Sequence, residues 1–226
     1  MNNKSFLIVL AVLLLLLVGP LFSPVPVLLI MNMDIRAATS WQVALFLVPF
    51  AIILGVMLSW MRRNQRTLAD LGWRQPTTRL AIISGTLLGL FWGVLGTFSY
   101  LQFNPEANLF ELSLFRLFTA LVGAGAATLE DLITRGFVMN ELRRLNSPTW
   151  MQLVASSLLF ALYHTVWGFN IIAFIFSLVY GLLLGGLFIL GKRSLTPVIL
   201  GHSLALLVGE PFLTLSLMEA VRMAVG

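Results

Sequence analysis

Residues 169–190 read FNIIAFIFSLVYGLLLGGLFIL, 22 positions without one charged side chain. Wound as an α-helix at 1.5 Å per residue, this run is roughly 33 Å long, enough to cross the ~30 Å hydrocarbon core of a bilayer. Similar runs lie near residues 6–31, 41–61, 79–101, 112–140, 150–166 and 195–218. The expected fold is therefore an all-α, polytopic membrane helix bundle of about seven transmembrane helices (six to eight), forming a single integral membrane domain over 1–226. The whole chain agrees with this reading: of 226 residues 59% are hydrophobic and 10% charged, and mean hydropathy is +0.96. Any functional site has to be built between membrane helices.

The charges that remain are unevenly placed. Lys4, the five arginines of residues 61–79, Arg143, Arg144, Lys192 and Arg193 lie on one side of the expected spans, while the alternating loops 32–40 and 102–111 are neutral or acidic. The positive-inside rule makes the basic side cytoplasmic, with the N-terminus inside. A net charge of +5 spread over short loops serves topology; it makes no aromatic-interleaved basic patch, so nucleic acid is not an expected partner. The run from Phe6 to Val18 has the length of a signal-peptide core, but apolar residues continue to Met33 without an Ala-x-Ala-like site, so a retained signal-anchor is expected. A chain with no cysteine has no disulfide, Cys-ligated metal or thiol nucleophile.

Against this apolar background, TLEDLITRG at residues 128–136 stands out, because charges at membrane depth are expensive and usually functional. Asp131 and Arg135 are four apart on a helix and are expected to pair. Glu130 is turned about 100° away and is left to face a cavity as a proton acceptor. The alternative is a charge cluster that only stitches helices together. The two histidines of the chain, His164 and His202, also sit in apolar segments. Counted from the cytoplasmic ends of their helices, Glu130, His164 and His202 lie roughly 18, 21 and 12 Å deep, so they can meet near one level. Glu210, just before Pro211, is expected at the membrane interface. Gly85, Gly89 and Gly93, and likewise Gly181 and Gly185, recur every four residues and are read as small-residue faces for helix packing.

The order EDxxxRG (130–136), FxxxH (160–164), then YGLLLGGLFILGKRSLTPVILGH (180–202) resembles the CPBP family of intramembrane proteases, also called the Abi family, which includes the CAAX prenyl endoproteases. The resemblance covers about residues 115–210, within a CPBP-like catalytic core at about 112–218. It implies that Glu130 and His164 activate the water that attacks a peptide carbonyl, that Arg135 orients the carboxylates, and that His202 polarises the carbonyl and stabilises the oxyanion. Two positions depart from the family pattern: Asp131 stands where a second glutamate is usual, and Leu206 where the family has Asn or Asp. Leucine neither donates a hydrogen bond nor binds metal.

The cofactor is open at this level. Glu130, His164 and His202 can form a His₂Glu zinc site, or can activate water directly; the metal-free form is preferred, because a ligating Glu130 would lose its role as base. HExxH, a second membrane-depth aspartate and GxSG are absent from the sequence, which sets aside the site-2, two-aspartate and rhomboid protease types. The expected function is thus an intramembrane endopeptidase acting on a membrane-associated or lipidated peptide or protein in a bilayer, in a bacterial cytoplasmic membrane. Competing readings are a catalytically impaired family member serving as an immunity or scaffold protein, and a transporter, for which the inverted repeats or paired broken helices of that class are not visible.

Overall fold

The computed structural model describes residues 34–73, 76–164 and 171–225. The expected first span at 6–31, Lys4 and the 165–170 connection lie outside the described residues. The elements are α1 (Ile35–Arg63), a 3₁₀ turn (Leu68–Leu71), α2 (Arg79–Tyr100), α3 (Leu114–Asp131), a π-helical segment (Leu132–Met139), α4 (Asn140–Arg144), α5 (Thr149–His164), α6 (Ile171–Leu190), α7 (Thr196–Gly209) and α8 (Phe212–Val225). Among the described residues, three helical stretches are long and apolar enough to cross a membrane: α2, the continuous run Leu114–Arg144, and α6. A fourth is reached if the pair α7 and α8, bent by 72°, makes one span.

Two element boundaries differ from expectation, each for a local reason. The loop expected at 32–40 is largely helix: Asp34 caps α1, accepting from the Ala37 N–H at 3.0 Å, which satisfies a donor that the helix start leaves orphaned. Thr39 and Ser40 then bond the Ile35 and Arg36 carbonyls one turn back, so their hydroxyls fit inside the helix. At the other end, the expected span 195–218 is broken between α7 and α8. Pro211 has no N–H to give and its ring clashes with the preceding turn, so the helix cannot run through it.

Small residues decide which helices touch. On α2 a Cβ at Gly85 would strike the Pro197 carbonyl, one at Gly89 the Gly201 carbonyl, and one at Gly93 the Ala205 carbonyl at 2.7 Å. α2 and α7 therefore approach backbone to backbone, in the way that small-residue faces allow in a bilayer, where dispersion packing replaces the hydrophobic effect. On α6, Gly181 lies against Ser157 and Phe160 of α5, and Gly185 against Leu153. Each glycine face thus seats one histidine-bearing helix, α7 or α5. The opposite side of α2 exposes Leu80, Ile83, Leu87, Phe91 and Phe98, and that of α6 exposes Ile172, Ile175, Val179 and Leu183, a surface suited to acyl chains.

At the basic end a polar clamp closes the bundle. Arg193, at the left-handed turn after α6, donates to Asn140 (3.1 Å) and Gln152 (2.5 Å). Asn140 in turn donates to the Asp70 and Gly136 carbonyls, and Arg144 bridges Glu141 and Asp70. Gly72, with φ of +89°, lies directly beneath the Arg193 carbonyl, and a side chain there meets both backbone strain and a collision. Hydrogen bonds from the Thr67 backbone and hydroxyl, with the Arg144 charge nearby, hold the Asp70 carboxyl below the usual aspartate range.

Candidate active site

α3 ends at the two carboxylates, and there the helix widens. From Leu132 to Met139 the backbone is π-helical, and all eight of its residues are buried. A π-segment is rare and often marks a functional site, since it breaks the regular ladder and re-aims side chains. The Thr134 hydroxyl donates to the Glu130 carbonyl at 2.6 Å, taking up an acceptor where the ladder changes. The α-helix expected through residue 140 is therefore corrected here, although Asp131 and Arg135 still meet.

That pair is the floor of the site. Arg135 Nη1 lies 3.0 Å from Asp131 Oδ1, and both side chains are fully buried. The guanidinium also donates to Thr134 Oγ1 at 2.7 Å and to the Gly181 carbonyl at 3.2 Å. Its central carbon stands 4.3 Å from the centre of the Phe160 ring, a cation–π distance. Four contacts, two on its own helical run and one each on α5 and α6, leave Arg135 little freedom.

Asp131 holds His202. Its Oδ2 is 3.1 Å from His202 Nδ1, and since a carboxylate accepts, that nitrogen carries the hydrogen. His202 Nε2 then lies 4.0 Å from Glu130 Oε2. On the other side, Glu130 Oε1 is 3.5 Å from His164 Nδ1. His164 Nδ1 is also 2.9 Å from the Phe160 carbonyl; a carbonyl can only accept, so Nδ1–H donates to it and the lone pair of the neutral ring is at Nε2. Glu130 is buried, and its Oε1 makes no hydrogen bond within the protein. His164, with a quarter of its side chain exposed, is the open edge of the group.

All five sequence-predicted polar residues are thus brought together from three helices: Glu130, Asp131 and Arg135 from α3 and its π extension, His164 from α5, His202 from α7. Three further residues lie on α7 or at its end. Glu210 is buried at the break before α8, where it accepts from the Thr214 hydroxyl at 2.8 Å, because the bend folds the chain back over it. Leu206 packs opposite Gly123 of α3, one turn above His202, and presents only carbon there. Ser203 is turned to the Ala124 carbonyl at 3.4 Å.

Reading the sequence did not single out the aromatic wall. Phe160 and Tyr180 stand 5.5 and 5.6 Å from His202, centre to centre, and Tyr180 stacks on Trp92 of α2 at 4.4 Å and 13°. Trp92 is buried while Phe91 and Val94 on either side of the Trp92–Gly93 pair are exposed, so adjacency to the glycine face gave no signal for it.

For zinc the fit is poor. Among the described residues no three His, Cys, Asp or Glu side chains are arranged to hold a metal ion. The His164 nitrogen nearest Glu130 is committed to a backbone carbonyl, so only Nε2 of that ring keeps a lone pair. The arrangement does offer a carboxylate flanked by two imidazoles in a water-poor interior, with one imidazole held by a second carboxylate.

Residues 112–208 match the family model described as Type II CAAX prenyl endopeptidase Rce1-like. No curated protein matches the chain, and no solved structure does.

Proposed function

With residues 112–208 forming a domain of the Rce1-like CAAX endopeptidase family, we propose that this protein is an intramembrane endopeptidase that hydrolyses a peptide bond with water activated by Glu130 and His164. The observation that carries this is the Glu130 carboxylate, buried between two histidines with one oxygen unengaged by the protein. Water entering past His164 gives one proton to Glu130 and is oriented by the lone pair of His164 Nε2. Its oxygen forms a bond to the peptide carbonyl carbon, and the carbonyl electrons move to oxygen. As the C–N bond breaks, Glu130 returns the proton to the leaving nitrogen, giving a carboxylic acid and an amine and restoring the enzyme. Asp131 and Arg135 keep His202 and the carboxylates in register. His202 Nε2 donates to the oxyanion when the ring carries its second proton.

The donor geometry favours a metal-free reaction. The substrate class is a membrane-associated or lipidated peptide or protein, reached within the bilayer by a bundle of about seven spans whose basic end is cytoplasmic, in a bacterial cytoplasmic membrane. The test is cleavage of a membrane peptide library by detergent-purified protein, comparing wild type with Glu130→Ala and His164→Ala, with and without a zinc chelator. Both variants are expected to lose cleavage while inserting normally, and the chelator to change nothing; a Glu130→Ala protein that still cleaves would sink the reading. A second reading, an immunity or scaffold protein without catalysis, draws support from Leu206, whose carbon packs where the family has a polar group. Under it wild type does not cleave, and Leu206→Asn does.

A further inference from the structure

Tyr180 carries a hydroxyl that the fold does not use. The residue is 4% exposed, and its oxygen is buried without a hydrogen-bond partner in the protein. Burying a hydroxyl unpaired is unfavourable, and phenylalanine would fill the same space without that penalty. The ring itself is rigidly held: stacked on Trp92, edge-on to His202 at 81° and set against Phe160 at 64°. Its ring meets His202, and Arg135 bonds the carbonyl of the next residue, Gly181, so Tyr180 borders the same enclosure.

His202 itself has no free donor while its ring is neutral. Nδ1–H of His202 is spent on Asp131, so Nε2 of the neutral ring can only accept. Leu206, one turn on, has nothing to donate. A developing oxyanion beside His202 needs a hydrogen bond that does not depend on the charge of the imidazole. A tyrosine hydroxyl supplies one at any pH below its own ionisation.

Resting on the endopeptidase reading, we propose that Tyr180 is a catalytic residue: its O–H donates a hydrogen bond to the carbonyl oxygen as that oxygen takes up the electron pair. No proton is transferred in this step; the hydrogen bond strengthens as the negative charge grows and relaxes when the carbonyl reforms.

The experiment compares wild type, Tyr180→Phe and Glu130→Ala on a library of internally quenched membrane peptides in detergent micelles, with melting temperatures measured alongside. For Tyr180→Phe, kcat is expected to fall about 100-fold, the loss typical of one oxyanion donor. KM should stay within about twofold, and the melting temperature should not drop, because the hydroxyl binds nothing in the resting protein. If Tyr180→Phe keeps kcat within about threefold of wild type while Glu130→Ala is dead, the tyrosine assignment falls and the hydrolase reading stands. A melting temperature lowered by several degrees together with activity would make the hydroxyl structural and equally overturn the proposal. Absence of wild-type cleavage, or equal cleavage by Glu130→Ala, would overturn the hydrolase reading and the tyrosine role with it.

Discussion

Arg135 and Asp131 test how a charge pair is tolerated in this interior. At 3.0 Å with both side chains fully buried, their attraction is about 5 kcal/mol at an effective dielectric of 20, most of it offset by the loss of hydration on both ions. Arg135→Met removes one partner and strands the other, which costs about 3–5 kcal/mol. The same change also gives up the bond to the Gly181 carbonyl, worth about 1 kcal/mol. Asp131→Asn strands the guanidinium in the same way, although an amide oxygen can still accept from His202 Nδ1. In the double variant neither member of the pair is left stranded, and Glu130 is present in all four proteins, so the two penalties do not add. The expected coupling is at least about 2 kcal/mol, well above the ~0.5 kcal/mol scatter of independent sites. Reversible unfolding of the four proteins in mixed micelles measures it. Additivity within that scatter would refute the claim that these charges are buried as a mutually dependent pair.

Gly89→Val puts a branched side chain into the Gly201 backbone and is expected to destabilise by about 1–3 kcal/mol or more. It should also lower activity by displacing α7 and its His202, read as a fall in melting temperature and in peptide cleavage; a variant that melts and cleaves like wild type would show that α2 and α7 are not in contact there. The clamp at the basic end should respond to acid. The Asp70 carboxyl is held below its ordinary value of 3.8, so its stabilisation is full above that value and is lost as pH falls through the lower value of the folded state. Asp70→Asn should therefore melt earlier than wild type at neutral pH, by an amount below about 1 kcal/mol because the pair is partly exposed, and the gap should close in acid. A gap that stays constant down to pH 2 would remove Asp70 ionisation from the clamp.

Several features follow from the chain itself. A run such as residues 169–190 permits little but a helix in hydrocarbon, and buried charge is costly enough that Glu130, Asp131, Arg135, His164 and His202 are conspicuous by type alone. Helical spacing also placed Arg135 one turn from Asp131. The glycine spacing marked close packing, but only the structure gives the partners, α7 for Gly85, Gly89 and Gly93 and α5 for Gly181 and Gly185, since a small residue states that something approaches and not what. The π-segment was illegible because an eight-residue change of helical pitch leaves the pattern of residue types unaltered. The burial of Glu210 was not legible, because the direction of the 72° bend at Pro211 depends on what α8 packs against. Tyr180 was invisible for the same reason: a tyrosine in an apolar helix is ordinary until neighbouring helices bury its hydroxyl without a partner beside His202. Residue chemistry and helical periodicity are local and can be read along the chain. Which groups share an enclosure is set by the rotation and crossing of helices far apart in sequence, and only the tertiary structure decides that.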